Sequence, residues 1–344
     1  MPTGEHLSER ELRVLDAVVQ AYIETAEPAG SQMIARRFGL GVSPATIRTI
    51  MSELEEKGFL FHRHTSSGRI PTDQAYRAYV DRVMHGAPPS SEQQLALEAE
   101  LQGRSSALDE VLRRAAQVLG VLTQELGIAV APALDRVVLE KVELVQVSSD
   151  RMLLVLDLRS GAVRTIFVRV PGHMAPESVQ RVSQLLNERL AGSTLREIRT
   201  TLGDRLRDAH GPPGGRELLD IFIAEGDDIF TLPEPGAVLL GSAQMLADQP
   251  EFASNARMRE LLRLTEGRDL LKQALASRRQ TGLSITIGAE NPDARLTDFT
   301  LVTATYEAGD LKGVIGVMGP TRMPYDKIIG LVEHTSRLVE DLLE

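Results

Sequence analysis

Two groups of short apolar runs stand far apart in this chain, at 142–147, 152–158 and 163–168 and again at 283–287, 299–306 and 314–318, and no other feature restricts its fold as tightly. Within the first group, Ser148-Ser149-Asp150 and Arg159-Ser160-Gly161 read as hairpin turns. A three-stranded sheet with one open face buries little, so the expectation is a single sheet of about six strands. Its cover is a pair of helices. One, at 105–126, carries Leu108, Leu112, Ala115, Leu119, Leu122 and Leu126 as a packing seam; the other, at 325–343, carries Ile328, Val332, Val339 and Leu342. On that reading residues 191–279 are an insertion into the sheet domain.

The 344 residues allow two or three domains, and a hydrophobic fraction of 42% with 25% charged residues is ordinary globular composition. Cysteine is absent, which excludes disulfides, thiolate zinc sites, iron–sulfur clusters and a cysteine nucleophile. No apolar run approaches the roughly 18 residues of a membrane helix, and the first residues lack the apolar stretch of a secretory signal. The expectation is a soluble cytoplasmic protein with no membrane contact.

The net charge of −10 is uneven. Residues 28–52 hold Arg36, Arg37 and Arg48 with no acid, and residues 57–72 hold Lys57, Arg63 and Arg69 with His62 and His64, again with no acid. Glu53, Glu55 and Glu56 lie between them. Local cationic patches in an acidic protein suit a small polyanion-contacting module on a non-binding body, although solvated faces would give the same composition.

Helical periodicity supports that module. Leu12, Leu15, Val19 and Tyr22 mark a first helix, Met33, Ile34 and Phe38 a second, and Gly39 with Gly41 a tight turn. Ser43 then caps a third helix with Pro44 in its first turn, and Ile47, Ile50, Met51 and Leu54 form its apolar stripe. The opposite face carries Ser43, Thr46, Arg48, Thr49 and Ser52, short groups and one arginine that fit a major groove, with Arg48 placed to read guanine. The following strand–turn–strand offers Arg63, His64, Ser67 and Arg69 as a wing that reaches the DNA backbone or minor groove. A helical protein-interaction domain is the competing reading of the same elements. GAPPSSEQQ then predicts a boundary, so the N-terminal domain is set at 1–85 and a linker at 86–104.

Catalytic signatures are missing: the seven histidines are scattered, and no HExxH, GxSxG, Walker A or EF-hand pattern occurs. His62 and His64 lack a third ligand nearby, which favours solvent or phosphate contact over a metal. Gly313, Gly316 and Gly319 have the wrong spacing for a dinucleotide fingerprint and read as close strand packing. Neither an enzyme nor a cofactor or metal site is expected.

SPATIR at 43–48, HTSSGRIPTDQAYRAYVD at 64–81, VLLGSAQMLADQPEF at 238–252 and GPTRMPY at 319–325 together resemble the HrcA family of bacterial heat-inducible transcription repressors, in the family's order over essentially the whole chain. Thr49 stands where that family commonly has Asn, and Ile50 where an acidic residue is usual. The resemblance implies an α+β multidomain fold: an N-terminal winged helix-turn-helix, a GAF-like domain at 105–190 and 280–344, and a dimerisation domain inserted at 191–279. It also implies a homodimer on the double-stranded inverted repeat called CIRCE, upstream of chaperonin and Hsp70 operons, with activity modulated by the chaperonin. The alternative is a one-component regulator whose GAF-like domain senses a small-molecule effector; the few aromatics and absent Trp argue for a scaffold instead.

Overall fold

The computed structural model describes residues 7–62, 68–84, 86–101, 108–132, 137–159, 161, 163–207, 216–224, 237–276, 278, 282–308 and 311–343. It is a mixed α/β structure. The N-terminal part packs α1 (Glu9–Thr25), α2 (Ser31–Phe38) and α3 (Pro44–Glu56) around Leu15, Val18, Ile34, Ile47 and Leu54, and a two-stranded ladder of β1 (Leu60–Phe61) and β2 (Ile70–Pro71) follows. Ser43 caps α3 ahead of Pro44, as the sequence predicts, and at the start of α1 Ser8 and Glu11 form a capping box. Helix α4 (Asp73–Val83) buries Tyr76 and Val80 against this core.

The stretch 86–104 is not an open linker. It contains α5 (Ser91–Leu101), whose Leu97 and Leu101 are buried and share a core with Leu112 and Leu119 of α6 (Leu108–Thr123). Only these two leucines face inward from α5, too few to show as periodicity.

The single six-stranded sheet does not form. Two sheets do. The larger has the order β7-β3-β10-β9-β8 and is wholly antiparallel, combining β3 (Leu126–Val130), β7 (Val238–Leu240), β8 (Ser284–Ile287), β9 (Phe299–Ala308) and β10 (Leu311–Pro320). The smaller is the meander β4 (Leu139–Gln146), β5 (Arg151–Leu158) and β6 (Val163–Arg169). Strand β3 and the short β7 supply the partners that the expected six-stranded sheet would have drawn from β4–β6. Ala129, Ile315 and Val317 turn to one face of the larger sheet, under α6 and α13 (Tyr325–Leu343). Leu126, Ile128, Val130, Val314 and Met318 turn to the other, under α10 (Gln244–Ala247), α11 (Asn255–Glu266) and α12 (Arg268–Ala276). This period-2 alternation lets one sheet carry two cores.

Helices α7 (Pro176–Leu190), α8 (Leu195–Arg207) and α9 (Arg216–Ala224) belong with the smaller sheet: Val182, Leu186, Ile198, Leu202 and Phe222 share its core with Val142, Met152, Leu154 and Leu156. The segment expected as an insertion, 191–279, is thus divided. Its first part completes the β4–β6 unit, and its second lies on the larger sheet. The motif at 238–252 begins as strand β7.

Candidate nucleic-acid interface

The outer face of α3 is open. Ser43, Arg48 and Thr49 are exposed, Thr46 and Ser52 half-buried, while Ile47, Ile50, Met51 and Leu54 are buried beneath them. Burial of Ile50 gives that position a packing role, which accounts for an apolar residue there. The hydroxyls are committed to the helix: Ser43 Oγ accepts from the Thr46 amide (3.1 Å), Thr49 Oγ1 donates to Ala45 O (3.3 Å) and Ser52 Oγ to Arg48 O (3.1 Å). Hydroxyls held this way still present a lone pair outward. Arg48 has no ion-pair partner among the described residues, so its five donors face solvent. A groove of about 460 Å³ beside this face, lined by Ser8, Arg10, Thr46, Thr49 and Glu53, brings the start of α1 alongside it.

The cationic patches are thinner than composition implies. Lys57 Nζ donates to Glu11 Oε1 (2.7 Å), and that bond, with those from Ser8, lowers the Glu11 carboxyl to about 2. Arg37 pairs with Glu24 and lies 5.8 Å from the Phe38 ring centroid. Arg69 Nε lies 2.8 Å from Glu55 Oε2, and His62 Nδ1 bonds the other oxygen of the same carboxylate. The predicted DNA contact Arg69 is therefore engaged with α3 itself. Arg63, His64 and Ser67 lie outside the described residues.

The base of the hairpin is joined to the α1–α2 connection. Arg69 exchanges two backbone hydrogen bonds with Ala29 (2.8 and 2.9 Å), and Gly68 passes so close that a side-chain carbon there would sit 2.5 Å from Pro28 O. Only glycine fits this crossing.

A second set of contacts fixes the N-terminal part on the body. Arg77 of α4 donates Nε to Glu290 Oε1 (2.7 Å) and Nη2 to Ile285 O (2.8 Å), and Asp73 Oδ2 accepts from the Ala289 amide (2.8 Å). Arg322 reaches across the seam to both sides: Nε and Nη2 hold the Glu251 carboxylate at 2.6 and 3.0 Å, and Nη1 donates to Ile23 O in the last turn of α1 (2.8 Å). Glu125 lies buried nearby, accepts from Gln249 Nε2 (3.1 Å) and is pushed well above the carboxylate range by burial. Sequence reasoning missed this seam, although GPTRMPY at 319–325, singled out for its pattern, contains Arg322.

No cluster of potential metal ligands occurs among the described residues, and no helix among them is long and apolar enough to cross a membrane. Residues 109–329 match the model of the HrcA protein C-terminal domain. The chain belongs to the HrcA family. It is 36% identical over 342 residues to the heat-inducible transcription repressor HrcA of Chlorobium phaeobacteroides (strain BS1), covering 95% of this chain and 96% of that protein. The HrcA repressor of Desulforamulus reducens is 35% identical over 341 residues, with 98% and 97% coverage. A crystal structure of a hypothetical protein superposes with a TM-score of 0.77 at 22% identity, covering 98% of this chain and 99% of that one, so the two share a fold.

Proposed function

We propose that this HrcA-family chain is a repressor of heat-shock operons whose N-terminal elements act as a winged helix-turn-helix, laying α3 in the major groove of the CIRCE inverted repeat. The observation that carries the reading is the outer face of α3: a Ser-capped helix with small hydroxyl residues around a solvent-facing Arg48, buried on its other side. Helix N-termini favour phosphate, and an arginine in this setting forks onto guanine. The relatives' name supports a regulatory rather than enzymatic role.

An inverted repeat calls for two-fold symmetry. The body supplies a surface for it in the uncovered face of the β4–β6 sheet. There Val145, Leu153 and Phe167 stand opposite one another across the three strands, with Val145 48% and Phe167 65% exposed. We place the dimer contact on this row. Phe222 cannot take part, because it is fully buried within its own subunit. In the larger unit the GAF-like sheet, covered on both faces, acts as a scaffold. Its β3 pairs with β10 across nearly the whole remaining chain, and such distant pairing folds slowly and exposes apolar strands meanwhile. Chaperonin occupied by heat-damaged clients would then leave less folded repressor.

Mobility shifts test the core of this reading: the purified protein is expected to retard the inverted repeat far more tightly than a single half-site or a scrambled duplex. Arg48→Ala should cost about 1–3 kcal/mol and relax base preference. Equal retardation of all three DNAs by the wild type would refute it. Phe167→Asp should give monomers in light scattering and lose the preference for the full repeat.

A further inference from the structure

Glu55 occupies the last turn of α3, on the side facing the hairpin, and its two oxygens are divided between an imidazole and a guanidinium that flank the two strands of that hairpin. His62, just past β1, meets Oε1; Arg69, just before β2, meets Oε2 at 2.8 Å. A carboxylate accepts only, so the Nδ1 that faces Glu55 must carry the proton. The three side chains are 23%, 32% and 19% exposed, respectively, so the cluster is neither freely solvated nor sealed. The ladder it flanks has only two residue pairs, Leu60↔Pro71 and Phe61↔Ile70. So short a ladder cannot fix the direction of a hairpin by itself. Cross-element contacts must do so, and among the described residues they include the Arg69–Ala29 backbone pair and the Glu55 cluster.

We propose that Glu55 is a positioning residue for sequence-selective DNA binding: it sets the pitch of the hairpin against α3 and withholds Arg69 and His62 from phosphate. The inference rests on the winged-helix reading above and adds a penalty against the wrong DNA. Cations free to meet any phosphate raise affinity for every duplex alike, whereas cations engaged by an internal carboxylate leave discrimination to α3. The acid that the sequence places between two basic stretches thus has a task of its own.

The test measures operator and scrambled-duplex affinities across a salt series for the full-length wild type, Glu55→Gln, Arg69→Gln and the double variant Glu55→Gln/Arg69→Gln. Glu55→Gln should bind scrambled DNA more tightly and steepen the slope of log K against log salt by roughly 0.9 per released cation. The ratio of operator to scrambled affinity should fall about two- to fivefold, the scale of a part-exposed ion pair. In the double variant the slope should return toward the wild type. Arg69→Gln alone should leave the slope unchanged, because that arginine is already engaged; this arm stands even if Glu55→Gln fails to fold. A wild-type slope and ratio in Glu55→Gln, or a slope lowered by about one unit in Arg69→Gln, would overturn the proposal. A wild type that does not distinguish operator from scrambled DNA would instead remove the winged-helix reading on which it rests.

Discussion

Arg322→Ala is the substitution that most directly probes how the N-terminal part is held on the body. Its guanidinium is 15% exposed and makes a two-pronged bond to Glu251, itself 28% exposed, together with the bond to Ile23 O. The carbonyl matters because α1 has no basic residue in its last turn, and Arg322 brings a cation to that helix end from the far side of the sequence. Discounted for partial exposure, the carboxylate bonds are worth about 1–2 kcal/mol and the helix-end bond about 1 kcal/mol, so truncation should cost about 2–3 kcal/mol. Urea unfolding followed by circular dichroism measures the total, and calorimetry should show the N-terminal part melting as a separate, earlier transition. Arg322→Lys should recover less than half, since an ammonium cannot grip both oxygens in the same plane. A loss below about 0.5 kcal/mol with a single unchanged transition would refute the argument that this residue couples the two parts.

Glu11→Gln should destabilise by about 1–2 kcal/mol at neutral pH through loss of the Lys57 pair and of the charge on the bonds from Ser8, although a glutamine can still complete the capping box. Because the folded carboxyl titrates at about 2 against 4.5 ordinarily, that difference should persist above pH 4.5 and vanish as the pH falls toward 2, as denaturation curves in a pH series would show. Glu125 has the opposite sign. Burial raises its folded value, so wild-type stability should decline as pH rises through and above the usual carboxylate range, and Glu125→Gln should flatten that decline in thermal melts. Gly68→Ala should cost about 1–3 kcal/mol by forcing a methyl into the Pro28 and Ala29 backbone, read by melting and by weakened operator binding.

The sequence made the N-terminal elements plain because each carries its own local signal: Ser43-Pro44 starts a helix, Gly39 and Gly41 interrupt one, and Ile47, Ile50, Met51 and Leu54 declare an inner face. The strands β4 to β6 and β8 to β10 were legible for the same reason. Strand β3 was not. It is buried on both faces, so LGIAV shows no alternation, and Leu126 falls in step with the leucine seam of the preceding helix. Losing β3 hid a partner of β10 and joined two sheets into one. In the interface, charge counting could not tell Arg48, which faces solvent, from Arg69 and Lys57, which are held by Glu55 and Glu11. Pairing between residues far apart in sequence leaves no periodic trace.

The place where the chain departs for the β4–β6 unit has a consequence for engineering. Val130 on β3 and Val238 on β7 are direct register partners, and Ala131 still donates to Ala237 O (3.0 Å) just beyond them. The whole of 132–236 therefore leaves and rejoins the larger sheet at one spot, as an enormous hairpin loop. A turn of two to five residues, the usual length for adjacent antiparallel strands, would close β3 onto β7 directly. Each halving of loop length returns about 0.6 kcal/mol of closure entropy when the loop is flexible. The excised chain would keep α1 to α4 and both faces of the larger sheet while losing the Val145–Phe167 row, so, with the dimer contact proposed on that row, one deletion would separate holding the proposed recognition surface from pairing two of them.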